Sequence, residues 1–108
     1  MTLSFIIPLY NCEAYVADCL NGIYGSEVDE RDFEVIIVND GSKDNGPMVC
    51  QAFANEHSNL HLISQENQGA SAARNAGLNV AKGEFVWFVD ADDKLVPHFF
   101  RKMVDVMK

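Results

Sequence analysis

Apolar and polar positions fall in blocks along this chain, and the period within each block predicts its element. Residues 3–9 form an almost unbroken apolar run ending in Pro8-Leu9-Tyr10-Asn11. This predicts a buried strand leading into a loop, because proline supplies no ladder hydrogen bond in a central strand. Asn11 is the expected cap of a helix over residues 13–24, where Val16, Cys19, Leu20 and Ile23 recur at helical spacing. Gly25-Ser26 stops that helix, and residues 27–32 read as a charged surface loop. Residues 33–38 predict a second strand, closed by the turn formers Asn39-Asp40-Gly41-Ser42. A helix over 47–57 begins with Pro47, whose missing N–H costs nothing in a first turn. Residues 60–63 are a shorter, more polar strand, expected near a sheet edge, and 66–69 a loop. An Ala-rich helix over 70–81 ends at Lys82-Gly83. Then Phe85-Val86-Trp87-Phe88-Val89 stops abruptly at Asp90-Ala91-Asp92-Asp93. So dense an apolar run predicts a buried strand of a parallel sheet, covered by helices on both faces. A last helix over 97–107 carries Phe100, Val104 and Met107 on one side.

Strand and helix thus alternate four times. That is the pattern of βαβ units, and it predicts an α/β fold: a three-layer α/β/α arrangement around a mainly parallel sheet of about four strands, Rossmann-like, with right-handed crossovers. No internal repeat, linker or second domain interrupts it. In a parallel sheet all the carboxyl ends of the strands lie on one rim. The polar clusters 8–11, 39–42, 65–69 and 90–93 all fall at those ends. Ligands of open α/β sheets bind just outside that rim, so the asymmetry predicts the site.

Charge narrows the partners. The chain has 108 residues and a formal net charge of −8, with 16 acids against 8 bases. Nucleic-acid binders carry a basic stripe, and anionic lipid attracts basic segments, so both partners are disfavoured. No apolar run reaches the roughly 18 residues of a membrane-spanning helix, and residues 1–7 read as a strand and not a signal peptide. Cys12, Cys19 and Cys50 are odd in number and form no CxxC pair, which suits reduced thiols in a cytoplasmic protein.

Asp90, Asp92 and Asp93 carry the sharpest chemical signal. Crowded carboxylates repel one another unless a cation or a hydroxyl-rich ligand lies between them. Hard oxygen ligands at this spacing suit Mg²⁺ or Mn²⁺. The competing reading is a solvated acidic turn before the last helix. Asp40, after an apolar strand, is placed to accept the imide N–H of a uracil-like base or a ribose hydroxyl, or else to make an Asx-turn. Ser42 and Asp44 read as caps. Small residues from Gly69 to Gly77 allow close approach to a helix start, and Arg74, a turn later, could meet a phosphate or pair with a surface acid. His57, His61 and His98 show no metal-ligand spacing. A dinucleotide fingerprint and a P-loop are both absent from the sequence.

Four segments together carry a family resemblance: Ile6-Ile7-Pro8-Leu9-Tyr10-Asn11, Phe33 through Ser42, Asn67-Gln68-Gly69 with Ala73-Arg74-Asn75-Ala76-Gly77, and Phe88 through Asp93. In order and spacing the chain resembles the N-terminal, nucleotide-sugar-binding half of family 2 glycosyltransferases, which adopt the GT-A fold. The resemblance implies transfer of a sugar from a nucleotide-diphosphate sugar, UDP-linked by preference, to an acceptor hydroxyl. It places Pro8 and Tyr10 in the base pocket, with Tyr10 packed on the base, and Asp40 as the base's acceptor. It brings Asn11, Gly69 and Arg74 into the nucleotide-binding set. Asp90 and Asp92 become the family's DxD element on the ribose and diphosphate, with Asp92 and Asp93 holding Mn²⁺ or Mg²⁺. The family's catalytic base and acceptor pocket follow the DxD element, so they are expected beyond Lys108, with residues 1–108 forming the donor half. Asn39, where a second Asp is common, and Gly46-Pro47 depart from the family pattern. A saccharide or lipid-linked acceptor, and a location in the cytoplasm or at the inner face of its membrane, follow from the same resemblance.

Two other functions fit parts of the pattern. One is a nucleotide-binding or scaffolding module without catalysis. The other is a phosphatase with a DxD nucleophile loop, which would need that loop after the first strand and not the fourth. A sheet of four strands would also leave an edge and some helix surface, including Phe99, Phe100 and Val104, uncovered, so self-association is expected.

Overall fold

The computed structural model describes residues 2–93 and 97–107, the side chains of 97–99 excepted. Eight elements follow one another: β1 (Leu3–Leu9), α1 (Glu13–Tyr24), β2 (Phe33–Asp40), α2 (Gly46–Glu56), β3 (Leu60–Gln65), α3 (Ala70–Val80), β4 (Phe85–Phe88) and α4 (Pro97–Met107). The four strands form one sheet in the order β3-β2-β1-β4, and every neighbouring pair is parallel. The expected alternation is therefore present, with β3 at an edge as its polarity predicted.

Residue parity sorts the sheet's two faces. Leu3, Phe5, Ile7 and Leu9 of β1, with Phe33, Val35 and Ile37 of β2, join Val16, Cys19, Leu20 and Ile23 of α1, Cys50 of α2, and Phe100 and Val104 of α4 in one core. Four aromatic rings knit it: Phe5 lies 4.9 Å from Phe100 and 5.3 Å from Trp87, and Phe33 stands edge-on to Phe100 at 5.4 Å. The opposite face is thinner. There Ile36 and Val38 meet Ala73, with Ala76, Ala81 and Ile63 at the margin. Small side chains let α3 come close: a Cβ on Gly77 would lie 2.6 Å from Ile6 Cγ2. Among the described helices, three thus cover one face and α3 alone covers the other.

This unequal cover corrects two expectations. β4 is not a strand buried on both faces; it is the second edge, paired only with β1 among the described strands. Trp87 reaches the thick core, but Val86 and Phe88 point to the face where α3 lies over β1 and β2, and both are exposed. Conversely, Phe100 and Val104, expected on open helix surface, are fully packed, at 0% and 1% exposure. An amphipathic helix turns such residues inward. Phe99 and His98 lie outside the residues whose side chains are described.

The strands also reach further than their apolar runs suggest. β2 continues through Asn39 and Asp40, paired with Ser64 and Gln65 of β3. Pro8 is likewise inside central strand β1, opposite Val38. It is tolerated there because it has no ladder bond to lose. Val89 N–H donates to Ile6 O at 3.0 Å, so alternate residues of β1 face β4, and β4 ends before reaching Pro8. At the amino rim, buried Glu34 Oε2 accepts the Ser4 hydroxyl and the Lys82 N–H, both at 2.6 Å. Gly83 N–H donates to Ser4 Oγ at 2.8 Å, fixing the entry to β4.

Candidate functional site

At the carboxyl rim the loops after β1 and β2 turn toward the three-helix face, whereas the loop after β3 crosses to α3. A crevice opens between them, as expected where successive connections leave on opposite sides of a parallel sheet. It is a cleft of about 480 Å³ lined by Pro8, Leu9, Tyr10, Cys12, Asp40, Asn67, Gly69, Ala70, Asp90, Ala91 and Asp92.

The first wall is held by reciprocal capping between two loops. Asn11 does not cap α1; it takes a left-handed backbone (φ 52°), a conformation asparagine tolerates better than most residues. Its Oδ1 accepts Lys43 N–H at 2.8 Å, and its own N–H donates to Ser42 Oγ at 3.2 Å. The free N–H at the start of α1 is met from the neighbouring loop, where Asp44 Oδ2 accepts Glu13 N–H at 3.0 Å. Asp44 Oδ1 accepts Gly46 N–H at 2.9 Å, and Glu13 Oε1 accepts Asn45 N–H at 3.1 Å, so the two helix starts lock each other. Asp44 is a cap, as expected, but for two helices at once. The result projects Tyr10 from the end of β1, 46% exposed, over the cleft.

Asp40 forms the floor. It is buried, and its carboxylate accepts Gln65 Nε2 at 3.0 Å and Gln68 N–H at 2.8 Å on Oδ1, and Gly69 N–H at 2.9 Å on Oδ2. The Gln65 bond does most to hold its pKa below the usual aspartate value; burial opposes this, and the Gln68 and Gly69 bonds add to it. Gly41 lets the loop after β3 close over this carboxylate. Its φ is +74°, and a Cβ there would meet Asn67 N at 2.9 Å.

The second wall is the acidic turn after β4. Ligand oxygens of Asp90, Asp92 and Asp93, all exposed, lie within 4.8 Å of one another. Arg74 Nη2 on α3 lies 3.6 Å from Asp90 Oδ1. Ala91 between them is buried in the main core, which anchors the turn while the flanking acids face out. Beneath it, Cys19 Sγ donates to Asp90 O at 3.9 Å. Burial, followed by the charges of Asp93 and Asp92, pushes the Cys19 thiol up to about 12. All three cysteines are free, and Cys19 and Cys50 serve as buried apolar groups. Three hard carboxylates open to water match the donor set of Mn²⁺ or Mg²⁺, whose remaining positions waters and phosphate oxygens fill.

Six residues expected from the sequence, Pro8, Tyr10, Asp40, Gly69, Asp90 and Asp92, line one cleft. Arg74 and Asp93 join it through the acidic turn, whereas Asn11 shapes the loop beneath Tyr10. The loop 65–69 lies at this rim as expected; Cys12 was not foreseen, nor were the contacts that Gln65 and Gln68 make with Asp40. For Gln65 the signal was register: once Asp40 is placed in β2, parallel pairing sets Gln65 beside it.

A parallel α/β sheet under unequal helix layers, with a carboxylate-lined crevice at its carboxyl rim, defines a Rossmann-like fold of the GT-A type. Residues 4–108 match the profile described as Glycosyl transferase family 2. The chain belongs to that family. It is 38% identical over 102 residues to "Putative glycosyltransferase EpsH" of Bacillus subtilis (strain 168), covering 94% of this chain and 29% of the relative. Its fold is similar to S. aureus TarS 1–349 in complex with UDP, with a TM-score of 0.90 and 33% identity, covering 97% of this chain and 31% of TarS 1–349. It also resembles the mannosyltransferase PcManGT from Pyrobaculum calidifontis in complex with GDP-Man and Mn²⁺, with a TM-score of 0.79 and 30% identity over 85% of this chain and 28% of that one. The chain thus spans about three-tenths of the length of these relatives.

Proposed function

We propose that this chain is the donor-binding part of a glycosyltransferase that transfers a sugar from UDP-sugar to an acceptor hydroxyl with help from a divalent cation. The observation that carries the reading is the convergence of Tyr10, Asp40 and the Asp90–Asp92 pair on one cleft, with Arg74 beside Asp90. Tyr10 offers a flat apolar face on which a base stacks. An ionised carboxylate has about four acceptor positions. Three of those on Asp40 are taken by Gln65, Gln68 and Gly69, which leaves room on Oδ2 for one donor. Uracil presents a single imide N–H, whereas guanine presents two adjacent donors and would need two acceptor positions. The UDP bound in the TarS structure agrees with this choice.

Asp90 and Asp92 would receive the ribose and diphosphate, and Asp92 and Asp93 would hold Mn²⁺ or Mg²⁺. The bound cation would act as a Lewis acid that neutralises the departing nucleoside diphosphate. Arg74 would supply a fixed positive charge opposite Asp90, able to turn from that carboxylate to a phosphate oxygen. The helix start at Gly69-Ala70 adds backbone N–H groups on the same side. Acceptor binding and its deprotonation would belong to the seven-tenths of the longer relatives that this chain does not match.

Calorimetry with UDP in the presence of Mn²⁺ tests the reading. Saturable binding to the folded chain is expected, weakened by at least about tenfold, roughly 1.4 kcal/mol, in Asp92→Ala. Absence of binding to well-folded protein, or an unchanged affinity in Asp92→Ala, overturns it.

A further inference from the structure

Gln65 is the last residue of edge strand β3 and stands opposite Asp40 in the β2–β3 register. Its side chain donates from Nε2 to Asp40 Oδ1 at 3.0 Å. We propose that Gln65 is a positioning residue for base recognition: it fixes the Asp40 carboxylate in orientation and keeps it a charged acceptor for a single imide donor. This rests on the nucleotide-binding reading above.

Three observations support it. First, the geometry is two-point. Oδ1 is held by Gln65 and by Gln68 N–H, while Gly69 N–H holds Oδ2, so the carboxylate plane cannot turn without breaking a bond. Second, Gln65 supplies a side-chain donor where the other two are backbone N–H groups, so it is the contact that sequence change can tune. Third, an amide N–H can only donate. Its bond is strongest to the ionised carboxylate, and so it favours the form that accepts from a base. The lowered pKa of Asp40, with Gln65 as its largest cause, agrees.

Other titratable groups face Asp40 across the cleft. Tyr10 and Cys12 come from the loop after β1, and Asp90 and Asp92 from the turn after β4. None of them is among the leading causes of the Asp40 shift, which is set by the Gln65, Gln68 and Gly69 bonds against burial. The sign follows. A lowered pKa in the folded chain means that the accepting form is present above it and lost as pH falls through it. Removing the donor moves that loss to higher pH.

Two variants separate this role from a structural one. Gln65→Met keeps length and strand packing without the donor; Gln65→Glu places a second carboxyl beside Asp40. The Asp40 side-chain carboxyl carbon, followed by NMR in the nucleotide-free 108-residue chain, should titrate at progressively higher pH from wild type to Gln65→Met to Gln65→Glu. Uridine, which has no phosphate to titrate and needs no metal, should bind with an acid limb that moves up in the same order. At neutral pH its affinity for Gln65→Met should fall by about tenfold, as for loss of a hydrogen bond to a charged group. An Asp40 midpoint that stays put in Gln65→Met overturns the proposal, as does an equal loss of uridine affinity at every pH. Neither result touches the nucleotide reading, which falls instead if wild type binds neither uridine nor UDP with Mn²⁺, and the role of Gln65 in recognition falls with it.

Discussion

Gly41 shows how one residue decides whether the cleft has a floor. Its backbone lies in the left-handed region, and the space a side chain would occupy is filled by the Asn67 amide. An alanine there meets both penalties: about 1–2 kcal/mol for the left-handed conformation, and a clash with main chain that cannot swing aside. The relief available is to push the 66–69 loop outward, and that loop holds the Gln68 and Gly69 N–H groups on Asp40. Gly41→Ala should therefore lower the melting temperature by several degrees and weaken UDP binding together. Calorimetric scanning and titration on the same sample check this; a variant with unchanged stability and affinity would show that the loop closes in another way. Asp40 itself was legible in the sequence because an acid after an apolar strand stands out. Its partners were not, because three donors from residues 65–69 become neighbours only when β2 and β3 are in register.

The elements were the most readable level, since the period of the apolar residues is a local property. The bounds of α1 and α4 agree with their patterns, and β1 and β3 begin where their apolar runs begin. What the period could not reveal was cover. Phe85 to Val89 is apolar enough for a central strand, yet among the described strands it is an edge paired only with β1, and its far face is open because α3, the one described helix there, lies over β1 and β2. Sequence periodicity reports that a side chain avoids water, not how many helices are available to hide it. Capping was misassigned for a related reason. Asn11 has the right chemistry next to α1, but the acceptor for Glu13 N–H comes from Asp44 in another loop. That bond joins two elements, so removing it should act on both. Asp44→Ala frees the first N–H of α1 and of α2, each cap contributing roughly 0.5–2 kcal/mol. Asp44→Asn, which keeps one acceptor, should lose less. Denaturant unfolding of the pair against wild type gives the comparison, and equal stability of Asp44→Ala and wild type would rule out the shared cap.

At the scale of the whole molecule, two opposing tendencies meet. The net charge is −8, so copies of the chain repel one another at low ionic strength. Against this stand Phe85, Val86 and Phe88 on the outer strand β4, at 38–45% exposure, and Val106 on α4 at 86%. Among the described strands, β4 offers its outer edge to no neighbour, and an open edge flanked by apolar side chains recruits other chains. The expected self-association therefore runs through β4 and not through Phe100 and Val104, which the core already holds. Screening decides the balance: at about 0.1 M salt the repulsion between copies extends only ~10 Å, while burial of apolar surface is unaffected or strengthened. Light scattering should accordingly show a mass for the 108-residue chain that rises with both protein and salt concentration. Val86→Lys places a charge on the uncovered face beside that edge, where native sheets commonly carry one, and should return the chain to a monomer without lowering its melting temperature. If wild type remains monomeric at high concentration and high salt, or if Val86→Lys associates as before, the outer edge of β4 is not where copies meet.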